Sequence, residues 1–151
     1  MRTGAFNLVM VDDNDVDAEV VERSIRASAW DIDFRRFATC EEAEAYLASA
    51  VRTHTRVDLV LIDLSLPTCD GRTLLSAIKS HPSTRGIAAV IMTSSARESD
   101  IADCYARGAN GYVTKPVATA DFRSNIETVL KYWVSLAPRI GTGPQGTDPP
   151  R

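Results

Sequence analysis

Short apolar runs alternating with longer amphipathic stretches constrain this chain more than any other feature. The runs are Phe6–Val11, Val57–Ile62, Ile87–Met92 and Gly111–Thr114, with a weaker one at Ile32–Phe37. The first four are apolar almost throughout, as parallel strands covered on both faces must be. Ile32–Phe37 alternates apolar and polar residues, which suits an edge strand. Helical spacing marks the stretches between them, at about 15–28, 41–51, 71–80, 97–107 and 119–137. Thr39 is placed to cap the second of these, and Gly108 to close the fourth. A strand followed by a helix, repeated along the whole chain, predicts an α/β fold: a doubly wound, open parallel sheet with helices on both faces.

The 151-residue length fits one domain, over residues 5–137. Beyond it, 138–151 is so dense in proline and glycine that a flexible tail is expected. A net charge of −3 gives no sign of a nucleic-acid-binding or membrane-binding surface. No apolar run approaches the roughly 18 residues of a membrane span, and the first residues lack a secretory signal. Cys40, Cys69 and Cys104 are odd in number and lack metal-ligand spacing, so they read as reduced thiols in a cytoplasmic protein. His54 and His81 lie in polar loop contexts, where the sequence offers neither a ligand nor a base partner.

In an open α/β sheet, chemistry gathers at the carboxyl ends of the strands. Asp12-Asp13 follows the first apolar run, Asp63 the third, Thr93-Ser94 the fourth and Lys115-Pro116 the fifth. Each alone has an ordinary explanation: acidic residues suit helix N-termini, and Asp suits turns. Their joint placement at one end of consecutive strands does not. Carboxylates gathered so closely repel, and a hard cation such as Mg²⁺ relieves that with oxygen ligands.

These segments resemble response-regulator receiver domains of two-component systems. The resemblance rests on Val9-Met10-Val11-Asp12-Asp13-Asn14, on Val60-Leu61-Ile62-Asp63-Leu64-Ser65-Leu66-Pro67 with Asp70-Gly71, on Met92-Thr93-Ser94-Ser95-Ala96, and on Gly108 through Pro116. The intervals from Asp63 to Thr93 and from Thr93 to Lys115 match those of the chemotaxis receiver. The fold implied is flavodoxin-like, with strand order 2-1-3-4-5. More narrowly, the loop from Val51 to Arg56, the Gly108-Ala109-Asn110 turn and Tyr132-Trp133 resemble stand-alone regulators that partner phytochrome-type sensor histidine kinases.

The resemblance implies roles for particular residues. Asp63 would take a phosphoryl group from a phosphohistidine, as carboxylate nucleophiles do. Asp12, Asp13, Asp63 and the backbone carbonyl of Ser65 would hold Mg²⁺. Lys115, Thr93 and Ser94 would bind phosphoryl oxygens, with the Leu64 N–H as a further donor. Thr93 and Tyr112 would switch together, repacking the face made by the fourth helix, fifth strand and fifth helix. Small residues at Ser65 and Ser95 would leave the phosphoryl group open to water. Self-phosphorylation and self-dephosphorylation would be its only chemistry, so the chain is not expected to be an enzyme acting on a separate substrate.

Two further expectations concern shape. The Lys115–Pro116 bond is expected to be cis, because proline lowers that cost to roughly 0.5–1 kcal/mol and burial of the lysine head can select it. A helix over 119–137 would be about 28 Å long, more than the sheet can cover. Its last turn, with Trp133, Leu136 and Tyr132, would then overhang and join a homodimer through the helix 4, strand 5, helix 5 face.

Three other readings compete. A Mg²⁺-dependent phosphohydrolase of the haloacid-dehalogenase type would carry an Asp where Ser65 stands and would have a cap insertion. A pseudo-receiver, working as a binding module without phosphate, would lack one of Asp13, Asp63 or Lys115. A transcription factor would need a DNA-binding domain that 138–151 is too short to form.

Overall fold

A computed structural model describes residues 4–138. Five strands, β1 (Phe6–Val11), β2 (Ile32–Phe37), β3 (Leu59–Ile62), β4 (Ala88–Thr93) and β5 (Gly111–Thr114), form one parallel sheet in the order β2-β1-β3-β4-β5. The helices between and after them are α1 (Asp15–Ala27), α2 (Cys40–Arg52), α3 (Gly71–Ser80), α4 (Glu98–Ala106) and α5 (Thr119–Leu130). Fold class and strand order are those expected, with β2 at one edge.

Alternate strand residues feed two apolar cores. Val9, Val11, Val60, Ile62, Ala89 and Ile91 face Leu47, Leu74, Leu75 and Cys104 of α2, α3 and α4. Leu8, Met10, Leu59, Leu61, Val90 and Met92 face Val21, Phe122, Ile126 and Leu130 of α1 and α5. This period-two division is why the central strands are apolar at nearly every position. Caps set the helix starts at the sheet's carboxyl rim: Asn14 Oδ1 accepts the Val16 and Asp17 N–H groups, and Thr39 Oγ1 accepts from Glu42.

Three expectations need correction. Cys40 and Cys69 are joined in a disulfide, Cα to Cα 6.2 Å, leaving Cys104 free and buried. An odd cysteine count argues nothing when two of the residues meet over one sheet face and the third packs as core. The Lys115–Pro116 bond is trans, since no described peptide bond is cis. The Lys115 ammonium reaches its carboxylate partners with the intrinsically favoured isomer, so its burial has nothing to select.

The third correction concerns Trp133. After Leu130 the helix widens into a π-turn (Lys131–Leu136), with the Ala137 N–H donating to the Tyr132 carbonyl at 2.7 Å. The buried series Phe122, Ile126, Leu130 drifts around an α-helix, and a wider turn reverses that drift, keeping Val134 on the sheet. Trp133 is thereby half-buried against the α1/α5 core instead of overhanging, while Tyr132 and Leu136 stay exposed. The segment 139–151, most of the expected tail, lies outside the described residues.

Candidate functional site at the carboxyl rim

Parallel strands deliver their carboxyl ends to one rim, and the polar residues after β1, β3, β4 and β5 meet there. Lys115 Nζ lies 2.7 Å from Asp12 Oδ2 and 3.1 Å from Asp63 Oδ2. Both carboxylates are nearly enclosed, with side-chain exposures of 2% and 9%. The other Asp63 oxygen accepts the Ser65 N–H at 3.1 Å, and Asp12 Oδ1 accepts the Asn14 N–H at 2.9 Å. Asp13 is exposed at the mouth, and carboxylate oxygens of Asp12, Asp13 and Asp63 all lie within 4.8 Å of one another.

The electrostatics are unbalanced. Burial pushes the Asp12 carboxyl above the usual aspartate range, against the opposing pull of Lys115. Burial also works against the Lys115 ammonium, but the hydrogen-bonded Asp12 and Asp17 carboxylates, with Asp63, overcome it and hold its pKa well above the ordinary lysine value. One ammonium serves several carboxylates, a donor set of hard oxygens that a divalent cation fits. Thr93 adds a second imbalance. It is fully buried, and its hydroxyl has no hydrogen-bond partner among the described residues. An orphaned buried hydroxyl costs on the order of 1–3 kcal/mol.

The loop after β3 is tightly seated. Gly71 opens α3 against the backbone of Asp63: a β-carbon there would fall 2.1 Å from the Asp63 carbonyl oxygen. Gly71 N–H donates to the Leu64 carbonyl at 3.2 Å, and Ser65 and Asp70 face each other in an isolated antiparallel bridge. On the far side, the Tyr112 hydroxyl donates to the Ser95 carbonyl at 2.8 Å, tying β5 to the loop after β4. Ser94 is exposed at that loop.

Sequence reasoning missed two groups here. Asp17 lies 2.8 Å from Lys115 Nζ. It sits in the first turn of α1, where acidic residues are expected for the helix end alone, so nothing in the sequence singled it out. Asp100 accepts from Ser95 Oγ and from Arg72, which also holds Asp70, linking the loop before α3 to the loop before α4. The Ser95 hydrogen bond leads the interactions that hold the Asp100 carboxyl below its usual range, outweighing desolvation.

A family model for the response regulator receiver domain matches residues 8–127. The chain belongs to that family. It is 28% identical over 129 residues to the response regulator Rcp1 of Synechocystis, covering 84% of this chain and 88% of Rcp1. It is 36% identical over 76 residues to a probable methanogenesis regulatory protein, FilR2, of Methanothrix harundinacea, where the match covers 50% of this chain and only 49% of the relative. With the Arabidopsis two-component response regulator ARR15 it shares 31% identity, over 83% of this receiver and 63% of the plant protein. Among solved structures, the phosphorylated cyanobacterial phytochrome response regulator RcpA superposes with a TM-score of 0.84 at 29% identity, covering 89% of this chain and 98% of RcpA. The Mn²⁺-bound form of Rcp1 gives 0.82 at 27% identity, covering 88% and 97%. The receiver has no described helix long and apolar enough to cross a membrane.

Proposed function

We propose that this receiver is a cytoplasmic response regulator that takes a phosphoryl group from the phosphohistidine of a sensor histidine kinase onto Asp63. The observation that carries the reading is a buried rim where Lys115 bridges Asp12 and Asp63 and donates its backbone N–H to the carbonyl of Thr93, whose buried hydroxyl has no partner among the described residues. The working unit is residues 5–137, with 138–151 as an extension.

Asp63 attacks phosphorus, an Oδ–P bond forms, and the P–N bond to the kinase histidine breaks. Asp12, Asp13, Asp63 and the Ser65 carbonyl would hold Mg²⁺, which supplies charge neutralisation for the phosphoryl oxygens. Lys115 gives up its contact with Asp63 and places its ammonium against the incoming group. Thr93 gains the acceptor it lacks, with the Ser94 and Leu64 N–H groups as further donors. Movement of Thr93 alters the space beside Tyr112 and loosens its hold on the loop after β4, which changes the α4, β5, α5 face. Ser65 and Ser95 leave a path for water, so the chain removes its own phosphate and turns over no other substrate. Likeness to RcpA and Rcp1 supports a phytochrome-type kinase as donor.

Exposed Tyr132 and Leu136 in the π-turn after α5, with Tyr105 on α4, support a homodimer through this face. A chain that stays monomeric by light scattering at high concentration, with and without a phosphoryl mimic, ends that part of the reading.

The test of the whole is labelling with a phosphorylated kinase or acetyl phosphate in Mg²⁺. Wild type should acquire a hydroxylamine-labile acyl phosphate. Asp63→Asn, which keeps shape and hydrogen bonding, should fall to background while remaining folded. Comparable labelling of that variant would sink the assignment.

A further inference from the structure

The phosphoryl chemistry makes no use of the Cys40–Cys69 disulfide, yet the bond grips the acceptor loop. Cys69 immediately precedes Asp70, the residue that caps α3 and bridges to Ser65. Cys40 opens α2 just after Phe37, whose carbonyl accepts the Asp12 backbone N–H at 3.0 Å. The bond therefore closes a ring from Asp12, through the start of α2, to the loop that carries Asp63, Leu64 and Ser65. Backbone contacts fix the base of that loop, and the disulfide fixes its shoulder.

The bond is also placed for exchange. Cys40 is buried, at 6% exposure, whereas Cys69 is half-exposed. An incoming thiolate thus meets Cys69 Sγ, and Cys40 is the leaving sulfur. It leaves as a thiolate at the first residue of a 13-residue helix, whose free N–H groups favour negative charge, although Glu41 and Glu42 in the same turn oppose this. Disulfides found in a reducing compartment are usually transient, with catalytic or redox-sensing roles.

We infer that Cys40 and Cys69 form a redox modification site that sets how firmly the acceptor loop is held, and with it the divalent-cation affinity of the rim. The inference rests on reading Asp12, Asp13 and Asp63 as the cation site. The reductant is a dithiol. One of its thiolates attacks Cys69 Sγ, the Cys40–Cys69 bond breaks, and Cys40 leaves with the electron pair and takes a proton. The second thiolate then resolves the mixed disulfide and frees the Cys69 thiol. Two electrons and two protons pass to the pair, and the dithiol ends as a disulfide. A disulfide oxidant such as oxidised glutathione runs the step backward. In the reduced state the Ser65 carbonyl sits on a loop that must be ordered when the cation binds, so affinity falls by roughly three- to tenfold, the cost of lost preorganisation.

The experiment uses the full chain, oxidised with glutathione disulfide or reduced with a dithiol that is then removed. Thiol titration after unfolding should count one thiol in the first state and three in the second. Mn²⁺ titration followed by paramagnetic resonance should show the tighter binding in the oxidised chain. Cys69→Ser should match the reduced wild type in either buffer, whereas Cys104→Ala should keep the redox difference. Three thiols in the oxidised sample, or equal Mn²⁺ affinity in the two states, overturns the redox site. If Mn²⁺ binds in neither state while the thiol counts differ, the cation reading of the rim has failed and takes this inference with it.

Discussion

Asp58 and Asp12 are buried to the same degree, each side chain 2% exposed, at opposite rims of one sheet. Asp58, just before β3, is fully provided for. Its carboxylate accepts the Asn7 N–H at 2.8 Å and pairs with Arg56, while its own N–H donates to the Asn7 carbonyl at 2.9 Å and Asn7 Nδ2 donates to the Arg56 carbonyl at 2.7 Å. Asp12 shares one lysine with Asp17 and Asp63, beside an orphaned hydroxyl. The amino rim is closed in itself. The carboxyl rim is short of cation charge and of one acceptor, deficits that the proposed metal ion and phosphoryl group would respectively fill. Burial of a charge therefore locates nothing by itself; the balance of its partners separates an aspartate whose needs are met from one open to a ligand.

Removing Asp58 should have the largest effect on stability. Asp58→Ala removes the acceptor of the Asn7 N–H and the carboxylate paired with Arg56 and should cost about 2 kcal/mol, with labelling at Asp63 unchanged in the folded protein. Asp12→Asn, without cation, should change stability by less than about 1 kcal/mol, because it trades a lost contact for relieved repulsion. Urea midpoints of the two variants compare the rims directly, and equal losses would erase the contrast.

A divalent cation should sharpen it. At about 100 times Kd, binding to the folded state alone stabilises by about 2.7 kcal/mol. Asp58→Ala should keep that shift in Tm, whereas Asp12→Asn and Asp13→Asn should lose most of it. A cation effect that survives loss of Asp12 and Asp13 would place the ion elsewhere.

Thr93→Val keeps the branched shape and removes the stranded hydroxyl. It should stabilise the protein by about 1 kcal/mol while weakening the response of the α4, β5, α5 face to phosphorylation. Destabilisation would mean that the hydroxyl has a partner after all.

The smallest effect belongs to Asp17. The folded Lys115 pKa is raised, so the stability it contributes is fully present below lysine's unfolded value near 10.4 and is lost as pH climbs through the higher folded value. Asp17→Asn takes away one partner and should cost less than about 1 kcal/mol, a gap that holds at neutral pH and closes under strong alkali. A gap that persists there would assign Asp17 a role unrelated to Lys115.

How far the sequence reached follows from how far each feature depends on distant chain. Strand and helix order lay in local periodicity, and β1, β2, α3 and β5 have the bounds that periodicity implies. Asp12, Asp63, Thr93 and Lys115 could be brought together on paper because a parallel sheet sends every carboxyl end to the same rim. Asp17, by contrast, looks like a helix-end charge until α1 is seated beside β5. The Cys40–Cys69 bond spans 29 residues and exists because α2 and the loop after β3 arrive over the same face. Trp133 turned inward because a wide turn changed the phase of α5, and the Lys115–Pro116 bond stayed trans because its lysine already had carboxylates within reach. The sequence determined the elements and the chemistry at their ends, since those are encoded by neighbours along the chain. Tertiary structure decided partners, phase and cross-link, since those depend on distances that no run of adjacent residues records.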